Sequence, residues 1–230
     1  MNTLVIIRHG LTEWSNRFTG WTDIDIAPEG EEMTKKYAIR LKEKGYKFNI
    51  GFTSVLKRGI KTLEIALKTI GQENIPVVRD WRLNERNYGD LQGQNKAEAV
   101  KKYGEEQVAL WRRSYDIAPP NGESLKDTYN RSVPYFKEIV LKEVQNGKTV
   151  ILSGNHNSLR AIIKYLDNIS DKEIVSLNVP YCIPLVYEFD DSLHPIKHYY
   201  LASDEEVKQI IESIKNQTTP SVIPSEARNL

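Results

Sequence analysis

The chain has 230 residues, enough for one large domain or two small ones, and its 27% charged and 40% hydrophobic content is a globular balance that excludes disorder and fibrous repeats. Lys plus Arg total 32 against Asp plus Glu 31, and a net charge of +1 argues against a generic nucleic-acid-coating protein. No run approaches the roughly 18 consecutive apolar residues needed to span a bilayer, and the single cysteine, Cys182, has no internal partner for a disulfide. Because Met1-Asn2-Thr3 leads directly into an apolar strand, no secretory leader is expected, and the reading is a soluble protein of a reducing, cytoplasmic compartment.

Strand-like and helix-like segments alternate, which predicts an α/β fold with a mainly parallel central sheet and helices on both faces. Residues 3–8 form a β-branched run suited to a doubly covered central strand. Residues 28–44 read as a helix with Met33, Tyr37 and Leu41 on one face and Gly45 at its end. Residues 49–54 are a second strand candidate, and 56–70 a helix carrying Ile60, Leu63, Leu67 and Ile70. A short strand is expected at 75–78, and the longest helix at 124–145, opened by Ser124 with Asp127 as a capping box and kinked at Pro134. After Gly147 come a buried strand at 149–153, a loop, and a helix with Leu159, Ile162, Ile163 and Leu166. Residues 183–189 and 195–201 look like paired edge strands, and 204–215 a short amphipathic helix. One catalytic domain over 1–215 is expected, followed by a disordered or loosely docked tail over 216–230.

Two of these strands end in polar loops that carry histidine: Arg8-His9-Gly10-Leu11-Thr12-Glu13 and Gly154-Asn155-His156-Asn157-Ser158-Leu159-Arg160. In open α/β sheets ligands bind beyond the carboxyl ends of strands, where helix N-termini offer free N–H groups to anions. Arg8 beside His9 therefore reads as an oxyanion ligand next to a nucleophile or proton carrier, with Gly10 permitting a sharp turn. Arg58 falls in the first turn of a helix, where a cation opposes the helix dipole unless an anion is shared there. Glu85 lies in a polar run, Leu83-Asn84-Glu85-Arg86-Asn87-Tyr88-Gly89, while Lys96, Arg112 and Arg113 add cations in segments that read as loops. Jointly these residues follow the pattern of a phosphate-binding cleft containing one carboxylate. His194 and His198 have no acidic or cysteine partner at ligand spacing and read as surface residues. Cys182 reads as a packed thiol, and the four tryptophans as packing, with Trp14 and Trp111 bordering the cleft.

Arg8-His9-Gly10, the run from Asn16 through Gly20-Trp21 to Asp23, Thr53-Ser54-Val55-Leu56-Lys57-Arg58, the Glu85 segment with Gln92-Gly93-Gln94-Asn95-Lys96, Trp111-Arg112-Arg113, Asn157-Ser158-Leu159-Arg160-Ala161 and Val179-Pro180 occur in one order over residues 3–201. The chain thereby resembles the cofactor-dependent phosphoglycerate mutases of the histidine phosphatase superfamily. The resemblance implies interconversion of 3-phosphoglycerate and 2-phosphoglycerate through a phosphohistidine, primed by 2,3-bisphosphoglycerate, with no metal. It implies that His9 accepts the phosphoryl group, that Arg8 and Arg58 hold its oxygens, and that Glu85 exchanges a proton with the substrate hydroxyl. Arg86, Tyr88, Lys96, Arg112 and Arg113 would clasp the carboxylate and second phosphate, with Ser15, Thr19, Gly20 and Asn157 adding smaller contacts. The implied partners are small phosphorylated three-carbon acids, and the implied assembly a homodimer or homotetramer.

Departures from the family pattern set further expectations. Family members usually read His-Gly before the Asn-Ser-Leu-Arg run; here Asn155 stands at the histidine position and His156 at the glycine position. Either His156 swings into the site through a re-formed loop, aided by Gly154, or Asn155 serves alone with one hydrogen bond and no charge; the first is the preferred reading. A histidine replacing glycine would be strained if that position needs φ > 0. Leu11-Thr12 and Ser15 replace Glu-Ser and an Asn, and the segment from Trp14 to Asn16 is shorter than in many relatives. The short run Pro119-Pro120-Asn121-Gly122-Glu123 replaces a longer loop that commonly covers the site, which implies a cleft more open to water. That opening keeps a phosphohydrolase of the same superfamily in view beside the mutase, and Asn155 at the histidine position keeps a catalytically impaired binding protein in view.

Overall fold

The computed structural model describes residues 2–215, so the expectation for the 216–230 tail lies outside the described residues. Strands β1 (Asn2–Arg8), β2 (Ile50–Thr53), β3 (Val77–Arg79), β4 (Val150–Gly154), β5 (Leu185–Phe189) and β6 (Pro195–Tyr200) form one sheet in the order β3-β2-β4-β1-β5-β6. β3, β2, β4 and β1 run parallel; β5 is antiparallel to β1, and β6 antiparallel to β5. The mainly parallel α/β architecture is the one the sequence pattern predicts, with a correction to the last two strands. β5 is interior, hydrogen-bonded on both sides, and only β6 of that pair lies at an edge. Its interior place explains why Leu185, Val186 and Tyr187 are all enclosed while no residue of β6 is.

The helices are α1 (Pro28–Glu43), α2 (Lys57–Ile70), α3 (Lys96–Tyr103), α4 (Glu105–Arg113), α5 (Leu125–Tyr135), α6 (Leu141–Gln145), α7 (His156–Leu166) and α8 (Asp204–Lys215). β1 shows how they cover the sheet. Its Leu4 and Ile6 pack with Phe136, Val140 and Ile162 on one face, and its Val5 and Ile7 with Leu41 and Leu63 of α1 and α2 on the other. Alternate side chains enter two different cores, so the strand reads as an unbroken apolar run. Each such side chain, once enclosed, contributes about 1.5–3 kcal/mol of transfer free energy.

Local chemistry explains the element ends. α2 stops where Gly71 turns left-handed at φ 70°. Ser124 and Asp127 form the expected capping box before α5. The kink expected at Pro134 takes the form of a π-helical stretch, Phe136–Val140, that divides the long helix into α5 and α6. β3 begins two residues later than the apolar pattern suggests: Pro76 has no N–H to give the ladder, and its carbonyl accepts from Gly51 N–H at 2.8 Å instead.

Two helices depart from the expectation of loops around Lys96, Arg112 and Arg113. Lys96 opens α3, behind an Asn95 side chain that accepts from the N–H groups of Ala97 and Glu98, and Arg112 and Arg113 close α4. The pair packs through Ala99, Val108 and Trp111 onto Phe18 and Leu91, forming a small lobe of its own.

β1 is followed by α1 on one face of the sheet, whereas β4 is followed by α7 on the other. The chain therefore diverges between two neighbouring parallel strands, which opens a crevice at their carboxyl ends. Arg8 lies opposite Gly154 there in the β1–β4 register.

Candidate active site

His9 directly follows β1, and its N–H donates to Gly154 O at 3.0 Å. Its Nδ1 lies 2.7 Å from Gly10 O. A carbonyl only accepts, so the neutral ring keeps its proton on Nδ1 and its lone pair on Nε2. The turn needs glycine: a Cβ on Gly10 would meet Gly30 O at 2.6 Å, and one on Gly30 would meet Leu11 O at 2.3 Å. The histidine loop thus crosses the first turn of α1 with backbone against backbone. Burial first, then the charges of Arg58 and Arg8, hold His9 well below the ordinary imidazole range. At neutral pH it is an uncharged nitrogen nucleophile between cations.

Arg8 donates through Nη1 to Val179 O at 2.7 Å, and its guanidinium lies 3.7 Å above the Tyr181 ring. Arg58, second residue of α2, donates to Thr22 O at 3.0 Å and Gly20 O at 2.7 Å. Those two carbonyls answer the unfavourable placement of a cation at a helix N-terminus, and burial brings its pKa down to about 10. Lys96 Nζ donates to Ser15 O at 2.6 Å; burial, then Arg112, Arg8 and Arg113, push it well below the usual lysine value. Arg112 is likewise brought down to about 10 by burial and by Arg113. Arg113 donates to Asn178 Oδ1 at 2.7 Å.

Among the described residues Glu85 is the one carboxylate lining the cleft. Its Oε1 accepts from Arg86 N–H at 2.7 Å and from Asn157 N–H, in the first turn of α7, at 3.0 Å. No described residue donates to Oε2, which leaves that oxygen for a ligand proton. Above it, Tyr88 Oη accepts from Asn157 Nδ2 and Arg86 Nη2, each at 3.2 Å. Its own hydroxyl hydrogen is therefore available to an acceptor in the cleft.

The cleft is lined by Arg8, His9, Ser15, Thr19, Gly20, Arg58, Glu85, Tyr88, Lys96, Arg112, Arg113, His156 and Asn157, all of which the sequence singles out. Arg86 is the exception. It is fully enclosed and turns away from the cleft, with Nη2 on Tyr88 Oη and on Arg112 O at 2.9 Å, so it supports two cleft residues without lining the cleft itself. Thr12, Trp14, Arg17, Tyr181 and Ile214 also line the cleft. Of these, Arg17 stood within a family-like run, and Tyr181 next to Pro180, but Ile214 on α8 carries no signal beyond its apolar period. Trp14 borders the cleft as expected, whereas Trp111 packs in the α3–α4 lobe.

The Asn155–His156 question has a geometric answer as to placement. Asn155 is wholly buried behind the cleft, its Nδ2 donating to Ser54 Oγ at 3.0 Å and Leu83 O at 3.3 Å. His156 lines the cleft, and its Nε2 accepts from Val179 N–H at 3.4 Å. No re-formed loop is involved: Gly154 ends β4 and α7 begins at His156 itself. His156 is not among the residues with positive φ, so the anticipated strain of histidine in place of glycine does not arise. Burial, then Arg8, Arg160, Arg113 and Arg112, keep the ring well below the usual imidazole value, hence neutral when the cleft holds no anion.

Outside the cleft, Cys182 is enclosed against Thr34 Oγ1 at 3.3 Å, and burial raises its thiol to about 12, as suits a packed thiol. His194 and His198 are exposed, though each does meet a carboxylate, Asp190 at 3.5 Å and Asp167 at 3.2 Å. Among the described residues no helix is long and apolar enough to cross a membrane, and no group of three His, Cys, Asp or Glu converges.

Comparison with known proteins places this geometry. Residues 4–201 match the family profile of the histidine phosphatase superfamily (branch 1). The 2,3-bisphosphoglycerate-dependent phosphoglycerate mutase of Parabacteroides distasonis is 46% identical over 244 residues, covering 94% of this chain and 98% of that protein. The protein of the same name from Borreliella afzelii is 45% identical over the same shares. The 244 aligned positions exceed the 230 residues of this chain, so these relatives carry segments that it lacks. A mycobacterial glucosyl-3-phosphoglycerate phosphatase shares the fold with a TM-score of 0.72 at 24% identity, over 87% of this chain and 97% of its own. A structure described as mycobacterial hydrolase 1 does so with a TM-score of 0.75 at 24% identity, over 88% and 99%. The chain belongs to the histidine phosphatase superfamily and, within it, to the family of the 2,3-bisphosphoglycerate-dependent phosphoglycerate mutases.

Proposed function

We propose that this protein interconverts 3-phosphoglycerate and 2-phosphoglycerate through a phosphohistidine on His9. The observation that carries the reading is the cleft itself: among the described residues, six basic side chains (Arg8, Arg17, Arg58, Lys96, Arg112, Arg113) and one carboxylate surround a histidine whose Nε2 is unprotonated. Such a site fits 2,3-bisphosphoglycerate, since a polyanion of this size supplies counter-charge to the clustered cations; when bound, it would provide the phosphoryl group that primes His9.

His9 Nε2 attacks phosphorus, the P–O bond to the sugar acid breaks, and the departing alkoxide takes its proton from Glu85. In the second half-reaction Glu85 takes a proton from the accepting hydroxyl, which attacks the phosphohistidine and returns His9 to its starting state. Arg8 and Arg58 hold the phosphoryl oxygens throughout, where the charge of the transition state resides. His156 takes the place beside the phosphoryl group and gains a proton as the dianion neutralises the surrounding arginines. Asn155 acts behind it. Lys96, Arg112, Arg113 and Tyr88 grip the carboxylate and second phosphate, assisted by Ser15, Thr19, Gly20 and Asn157, and Arg86 contributes by holding Tyr88 and Arg112.

Retention of the bisphosphate by this second group of cations favours transfer back to the substrate over transfer to water. One catalytic domain over 1–215, a homodimer or homotetramer, and cytoplasmic residence complete the reading. The test is phosphorus NMR of the protein with 3-phosphoglycerate and a trace of bisphosphate. Growth of 2-phosphoglycerate is expected; free phosphate without it would replace the mutase with the phosphohydrolase, and no change in either would leave a binding protein.

A further inference from the structure

The segment that carries Glu85 has no strand or α-helix to hold it, yet four consecutive carbonyls in it are each met by a side-chain donor. Arg82 O accepts from Arg131 Nη1 at 2.8 Å, and Leu83 O from Asn155 Nδ2 at 3.3 Å. Asn84 O accepts from Arg131 Nη1 at 3.1 Å, and Glu85 O from both Arg131 Nη2 at 2.8 Å and Trp21 Nε1 at 2.6 Å. Arg131, on α5, is itself fixed by a bidentate pair with Glu123: Nε to Oε1 and Nη2 to Oε2, both 2.8 Å. Glu123 Oε2 also accepts from Asn87 N–H at 2.9 Å, on the far side of Glu85. Arg131 uses all three of its nitrogens here, and its side chain is only 10% exposed. It does not line the cleft.

We propose that Arg131, held by Glu123, is the positioning residue that sets the Glu85 carboxylate at the substrate hydroxyl, and that Asn155 is the second arm of the same clamp. An irregular backbone segment is as precise as the groups that satisfy it, and here one guanidinium spans Arg82 to Glu85 like a staple. A lysine at this position would keep the charge but lose the planar fork that reaches three carbonyls and a carboxylate together. Asn155 thereby acquires a structural function that explains an amide at a position facing away from the phosphoryl group. This inference rests on the reading of Glu85 as proton donor and acceptor.

The experiment compares two phosphoryl donors on one protein sample. With 2,3-bisphosphoglycerate the leaving group is an alkoxide that needs a proton from Glu85; with p-nitrophenyl phosphate it departs as a stabilised phenolate that needs none. The rate of His9 phosphorylation is measured for both in the parent, Glu85→Gln, Arg131→Lys and Glu123→Gln. Because each ratio comes from one sample, a loss of folded protein cancels. Glu85→Gln is expected to slow the alkoxide donor on the order of 10²–10³-fold and leave the aryl donor within a few-fold. Arg131→Lys and Glu123→Gln are expected to follow it, with losses on the order of 10²-fold or less in kcat, little change in KM, and the aryl donor spared. Equal slowing of both donors by the Arg131 and Glu123 variants, or no slowing of either, overturns the positioning role. A Glu85→Gln variant that transfers from the alkoxide donor at the parent rate instead overturns the acid–base reading on which it rests.

Discussion

The two cleft histidines make the folded protein sensitive to mild acid in a calculable way. Both His9 and His156 have imidazoles depressed well below the ordinary value, by burial and then by neighbouring arginines. In the unfolded chain each titrates at about 6.5. Between that value and the lower folded one, the unfolded state binds protons that the folded state refuses. The stabilisation is therefore complete above the unfolded pKa and is lost as pH falls below it, down to the folded pKa. At pH 5.5 one such group costs on the order of 1 kcal/mol relative to pH 7, and the pair about twice that. Most carboxylates are still ionised there, so the window isolates the histidines. The assay is urea denaturation at half-unit steps from pH 7.5 to 5.5, in a buffer without phosphate or sulfate, since a bound anion would draw protons onto the same rings. His9→Asn and His156→Asn should each remove about half of the pH dependence, whatever they do to stability at pH 7, and the double variant nearly all of it. A double variant that weakens as steeply as the parent would refute this account of the buried rings.

The crowding of cations in the cleft should make the protein respond to small polyanions: 2,3-bisphosphoglycerate at about 100 times its Kd would add about 2.7 kcal/mol, raising Tm by roughly 5–11 °C in differential scanning fluorimetry. Arg58→Ala should abolish most of that shift, because Arg58 is nearly wholly enclosed at the phosphoryl end of the cleft. For the displaced histidine, His156→Ala is expected to lower kcat on the order of 10²-fold. Asn155→His should fail to raise turnover, since Asn155 faces Ser54 and Leu83 rather than the cleft; a gain in kcat from that substitution would reverse the assignment. Finally, Cys182, with its thiol raised to about 12 and enclosed beneath Thr34, should resist iodoacetamide in the native protein and react only on denaturation, read by mass spectrometry.

How much of this was legible in the sequence depended on the physical strength of each signal. The β1 strand and the α1 and α2 helices announce themselves because their apolar periods are dense and their ends carry a glycine or proline. α3 and α4 do not: only Ala99 is buried in the first, and Val108 and Trp111 in the second, too few to set a period in such charged segments. The Asn95 cap was the one available sign of them. The β5 strand reads as half of an edge pair because hairpin-like pairing with β6 is visible locally, while its partnership with β1 is made across more than 170 residues. Site residues were found through the order of their runs, which says which residues gather but not which way they point. Arg86 shows the limit. Next to Glu85 and equally charged, it turns inward because Tyr88 and the Arg112 carbonyl offer acceptors there. Arg131 was out of reach for the same reason: its identity is ordinary for a helix surface, and only the fold reveals that it stretches under another loop.

The pairing of β1 with β4 has a consequence for how such a protein can change. His9 is stitched to the sheet by main-chain atoms, its N–H on Gly154 O one step beyond the Arg8–Gly154 pair. Main-chain stitching is indifferent to most side-chain replacements nearby, so the nucleophile's position is inherited with the sheet. Glu85 has no such anchorage and borrows its place from α5, α7 and the loop bearing Trp21. Drift in those outlying elements can retune proton transfer, and with it the alcohols that serve as leaving groups, while the histidine chemistry stays where the sheet puts it.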